Sequence, residues 1–77
     1  MIFLVKYDRS LKRLQKLEQY DDDSRAKANH DRFEAELKQF EQSQRNLEIV
    51  LIDAPDESTV RTTHAHYFEE YDVAEPT

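Results

Sequence analysis

Seventy-seven residues without a single glycine or cysteine exclude much of the chemistry that a chain this short can carry. No P-loop, dinucleotide-binding turn or nucleophile elbow can be written without glycine, and no thiolate nucleophile, zinc–thiolate site, iron–sulfur ligation or disulfide without cysteine. The net charge of −6 hides an asymmetry: residues 1–16 hold Lys6, Arg9, Lys12, Arg13 and Lys16 against Asp8 alone, a local +4, so the other 61 residues carry −10.

The chain opens on Ile2 to Tyr7, an almost unbroken apolar and aromatic run closed by Asp8-Arg9-Ser10, which reads as a strand and a turn. In Leu11 to Tyr20, leucines recur every third residue at 11, 14 and 17, a spacing that fits a short amphipathic helix about as well as an irregular strand. A β-hairpin is the favoured reading, because Asp and Ser can hydrogen-bond their own backbone and turn the chain without glycine.

Asp21 to Arg45 is the clearest element. Ala26, His30, Phe33, Leu37 and Phe40 fall at alternating steps of four and three, one apolar stripe on a helix of about six turns. Asp22, Asp23 and Ser24 suit its positive end, Arg45 lies in its last turn, and Asn46 is expected to supply a left-handed cap. Leu47 to Ile52 then reads as a strand closed by Asp53-Ala54-Pro55-Asp56. A second helix follows, with Asp56 as N-cap and Val60, His64, Tyr67, Phe68 and Tyr71 on one face. Residues 1–72 form one domain, and 73–77 read as a frayed tail.

These elements give an α+β fold of order ββαβα, with a three-stranded antiparallel sheet in the order 2-1-3 and both helices on one face. Because Ile2 to Val5 and Ile49 to Ile52 are apolar on both sides, the second sheet face would be left in water. That predicts a partner. A domain this small buries only about 60% of its unfolded surface, and self-association is one ordinary remedy. No apolar run approaches the roughly 18 residues of a membrane span, and Ile2 to Val5 is too short for a signal peptide, so a cytoplasmic protein away from membranes is expected.

The leading functional expectation is therefore a non-catalytic homodimeric protein-interaction module, closed through an apolar sheet face, with an unidentified protein partner as a further possibility. A second reading uses the basic hairpin: Arg9, Lys12 and Arg13, with Lys6 and Lys16 nearby, would contact phosphates or another anionic ligand while Tyr7 or Tyr20 stacks on a base. A third concerns histidine. His30 and His64 lie on the apolar stripes of their helices and could converge as a metal-binding or acid–base pair, with Arg61 and Tyr67 as neighbours of His64. His64 and His66, two apart on a helix, point about 200° from each other and cannot share a metal. Asp53 and Asp56 occupy a loop where magnesium is often held, yet turn formation and capping already explain them. No cofactor, metal or catalytic residue is assigned.

Tyr7-Asp8-Arg9, Arg13-Leu14 and Thr63-His64-Ala65-His66-Tyr67-Phe68, with an Asp-containing turn before the last helix, resemble a group of short bacterial proteins of uncharacterised function over nearly the whole chain. That group usually carries glycine in the first turn, where Leu11-Lys12 stand here. The resemblance implies a hairpin over residues 11–20 and implies no activity, cofactor or partner.

Overall fold

A computed structural model describes residues 1–42 and 46–68. Its strands are β1 (Ile2–Asp8), β2 (Arg13–Tyr20) and β3 (Leu47–Asp53), and its helices α1 (Arg25–Glu41) and α2 (Glu57–Thr63). Short 3-10 turns precede α1 at Asp22–Ser24 and follow α2 at Ala65–Tyr67. The sheet is antiparallel throughout in the order β2-β1-β3, so the α+β class, the ββαβα order and the 2-1-3 arrangement all hold. Tyr71, the tail from Val73 and Arg45 lie outside the described residues.

The hairpin shows how a chain turns without glycine. Asp8 pairs with Arg13 across a four-residue loop, and the Asp8 carboxylate accepts from the backbone N–H groups of Ser10 and Leu11 at 2.9 and 3.0 Å. Lys12 closes the loop with φ of 55°, the one positive φ among the described residues. A side chain with a Cβ is disfavoured there by about 1–2 kcal/mol, whereas glycine takes that conformation freely at the cost of a looser unfolded chain. Lys12→Gly is therefore expected to raise stability by up to about 1 kcal/mol, read as a higher urea midpoint.

The leucines at steps of three have a physical explanation in β2. Val5 faces Leu17 and Lys6 faces Lys16, but Tyr7 faces Leu14, so Gln15 is an extra residue in a β-bulge. Without the bulge, residues three apart would point to opposite faces. With it, Leu14 and Leu17 join the same apolar cluster.

The helices lie on opposite faces of the sheet, which corrects the expectation that both share one. Ile2 and Leu4 pack with Tyr20, Ile49 and Ala28 of α1; Phe3 and Val5 pack with Ile52, Val60 of α2 and Tyr67 beyond it. The cause is β1 itself. As the central strand it is apolar at every position from Ile2 to Val5, all at most 1% exposed, and such a strand must be covered on both sides. The uncovered apolar sheet face, the ground for expecting a dimer closed through it, is not left: α1 covers one face and α2 the other.

Two helix ends also differ from expectation. α2 stops at Thr63, where β-branched residues hold the helix weakly. Thr62 and Thr63 turn their hydroxyls back onto the carbonyls of Ser58 and Thr59. α1 ends at Glu41 with Gln42 as its C-cap, so Asn46 does not cap it; the Asn46 carbonyl accepts from the Arg9 N–H at 2.9 Å and extends the β1–β3 ladder. The Asp56 cap does form, accepting from the Thr59 N–H and hydroxyl, each at 2.8 Å.

Candidate functional site

Helix α1 has two unlike faces, and the one built for the sheet is the less apolar. Ala28 is fully buried, while Asp31, Arg32, Ala35 and Gln39 are half-buried along the same line. Small side chains at Ala28 and Ala35 let the helix axis approach the strands closely. Polar residues then finish the contact. Tyr20 donates its hydroxyl to Asp31 at 2.7 Å, and the Gln39 amide pairs with both backbone groups of Leu47, accepting at 2.7 Å and donating at 3.2 Å. Leu47 lies on the edge strand β3, so this side chain stands in for a missing strand neighbour.

The stripe expected to form the core points the other way. At 100° per residue, Phe33, Leu37 and Phe40 lie about 120–180° around the helix from Ala28. They are 58%, 42% and 62% exposed. Ala26 and His30, on the same line, are also exposed. The 4-3-4-3 spacing marks the outward face, and the inward face is the weaker line Ala28, Ala35, Gln39. Its signal is two alanines seven apart. The flanks of the outer stripe are charged and carry i,i+4 pairs: Lys27 with Asp31 at 3.2 Å, His30 with Glu34 at 3.7 Å and Arg32 with Glu36 at 2.9 Å.

On the opposite side of the sheet, the residues singled out around α2 form a packed aromatic group. Tyr67 is buried and donates to Glu48 at 2.5 Å. Its pKa is pushed up to about 12, first by burial and then by that carboxylate. His64 stacks on Tyr67 with ring centroids 6.2 Å apart, and its Nδ1 lies 2.9 Å from the Thr63 hydroxyl. Arg61 pairs with Glu57 at 2.8 Å and covers the Phe68 ring at 4.6 Å. His64 and Tyr67 are stacked, while Arg61, on Glu57 and Phe68, and Tyr67, on Glu48, already have intramolecular partners.

His30 and His64 do not converge, because their helices lie on opposite faces of the sheet. Among the described residues no group of three or more His, Asp or Glu side chains is placed to hold a metal ion. Asp53 receives a two-point hydrogen bond from Arg25, at 2.7 and 3.3 Å, that holds its carboxyl below the usual range. Together with the Asp56 cap, this gives both candidate magnesium ligands structural partners.

Arg9, Lys12 and Arg13 do share one turn and its flank. The rings that would stack on a base are not available beside them. Tyr20 is buried against α1, and Tyr7 packs edge-on to Tyr67 at 5.3 Å and to His66 at 6.5 Å. A cleft of about 470 Å³ opens between the C-terminal half of α1 and the bulged hairpin, with Lys6, Asp8, Gln15, Lys38, Gln42 and Asn46 in its walls. Among the described residues that line it, Asp8 is the one carboxylate and there is no histidine or serine.

Among the described residues no helix is long and apolar enough to cross a membrane. No protein-family model matches the chain, and no curated protein or solved structure matches it either.

Proposed function

We propose that this protein is a small non-catalytic interaction module that pairs with a second copy through the outer face of α1. One observation carries the reading: Phe33 and Leu37, large apolar side chains four residues apart, are 58% and 42% exposed on the helix face directed away from the sheet. Apolar residues repeating at steps of four and three form the seam by which helices pair. Had the stripe served only to fold the chain, it would face the sheet.

Size sets the strength. Seventeen residues of helix span about 25 Å, and a stripe that long reaches only the low end of the roughly 800 Å² per partner that stable complexes bury. A Kd in the micromolar range is expected. A cytoplasmic setting belongs to the same proposal and rests on the acidic, cysteine-free composition.

Sedimentation equilibrium tests it. The chain is expected to be dimeric at concentrations of about 100 μM, and Phe33→Glu with Leu37→Glu is expected to weaken association at least about 100-fold, each change burying a charge in the seam. Both residues are exposed in the single chain, so the double variant should keep its circular dichroism. A monomer at that concentration in the unchanged protein overturns the proposal.

A further inference from the structure

Resting on the α1 reading above, we infer that the two copies pair antiparallel, with Phe33 of one helix layered on Leu37 of the other and Phe40 on His30. Two features of the outer face select this arrangement over a parallel one.

The first is volume. The seam runs Ala26, His30, Phe33, Leu37, Phe40. A parallel pair sets each residue against itself, so two phenylalanines crowd one layer at 33 and again at 40, while two alanines leave a gap at 26. Sliding the copies in opposite directions about a two-fold axis near residue 35 sets every phenylalanine against a smaller neighbour. Layers that alternate large and small side chains fill space without voids or forced rotamers.

The second is charge. Lys27, Glu34 and Glu41 follow one another at steps of seven along one flank of the seam. All three are exposed or half-buried on the helix surface, and Lys27 and Glu34 already take part in i,i+4 pairs with Asp31 and His30. In a parallel pair this flank faces the partner's other flank, so Glu41 of each copy meets Glu36 of the other, a like-charge contact made twice, and Lys27 meets only Asp22, which lies ahead of α1 and already pairs with the N-terminus. In the antiparallel pair Lys27 of each copy meets Glu41 of the other, twice per dimer. The opposed helix dipoles favour the same sense. Glu34 meets its own copy near the axis, a like-charge contact that the two Lys27–Glu41 pairs outnumber.

No cysteine is present in the chain, so engineered thiols are unambiguous reporters. Lys27→Cys and Glu41→Cys proteins are prepared separately, then treated with a short bismaleimide alone and as an equimolar mixture, with sedimentation run on each sample. Antiparallel pairing predicts covalent dimer in the mixture and little in either protein alone, because residues 27 of the two copies are then about 16 helical positions, about 24 Å, apart. Covalent dimer from Lys27→Cys alone means a parallel pair and overturns the inference while leaving dimerisation intact. No covalent product from samples that sediment as dimers also overturns it, placing the interface elsewhere, whereas samples that sediment as monomers overturn the α1 reading itself.

Discussion

Replacing Phe3 with alanine is expected to remove about 3–5 kcal/mol of folding stability, the usual cost of emptying a phenylalanine site in a packed core. Phe3 has no exposed surface and sits in the middle of β1, where its ring touches the cluster that joins Val5, Ile52, Val60 and Tyr67. That cluster, with the Tyr67–Glu48 hydrogen bond and the Tyr7–His66 ring contact, joins the sheet to α2 and the turn after it. A domain of this length has roughly 4–12 kcal/mol in total. The variant is expected to be largely unfolded at 37 °C or to show a urea midpoint far below that of the unchanged chain, with an unchanged slope. Phe33→Ala is the control of identical chemistry. Because that ring is mostly exposed, the stability of the single chain should change by no more than about 0.5 kcal/mol. A large loss at Phe33 would mean that its face of α1 packs on the sheet, and a small one at Phe3 that the α2 side of the sheet is not a packed core.

That contrast also separates what the sequence makes legible from what it does not. The strands were readable because β1 and β3 are runs of β-branched and aromatic residues ended by aspartate. The Asp56 cap was readable because its partner lies three residues away. Such features are local. Which face of α1 turns inward is not local. It depends on Ala28 and Ala35 fitting closely against Ile2, Leu4 and Ile49, and on Tyr20 and Leu47 supplying partners for Asp31 and Gln39. A count of apolar residues favours Phe33, Leu37 and Phe40 and so selects the wrong face. The placement of the two helices is non-local for a related reason: the apolar character of β1 on both sides demands a cover for each face, and nothing local says whether α2 or a partner supplies the second; α2 does. The period of three in β2 was ambiguous because a bulge changes the strand repeat at one residue only.

The same two faces are locked by tyrosines, which makes alkaline pH a sharp probe of the fold. Tyr67 is buried beneath α2 with its hydroxyl on Glu48, and Tyr20 is buried beneath α1 with its hydroxyl on Asp31 and Glu18. Burial first, and the neighbouring carboxylates second, push both phenols up, Tyr67 to about 12 and Tyr20 further. A group whose pKa is raised on folding contributes stability that is complete below its unfolded value, about 10 for tyrosine, and is lost as pH rises through the folded value. For Tyr67 that window runs from about 10 to about 12, a rise that corresponds to about 2–3 kcal/mol.

At the acid end the sign is reversed. Asp31, held low by the Tyr20 hydroxyl and then Lys27, and Asp56, held low by the Thr59 N–H, contribute stability present above about 4 and lost as pH falls through their lowered values. Urea midpoints are therefore expected to form a plateau between these limits and to fall steeply above pH of about 10. Tyr67→Phe should lower the plateau by about 1 kcal/mol, the worth of its hydrogen bond, yet flatten the alkaline fall, because the group that titrates has been removed. Phenolate absorbance followed across the same range should show Tyr67 and Tyr20 ionising only as the chain unfolds. If both ionise near 10 in a chain that stays folded, the two hydroxyls are not locked against the sheet, and the burial that fixes α1 and α2 on opposite faces is wrong.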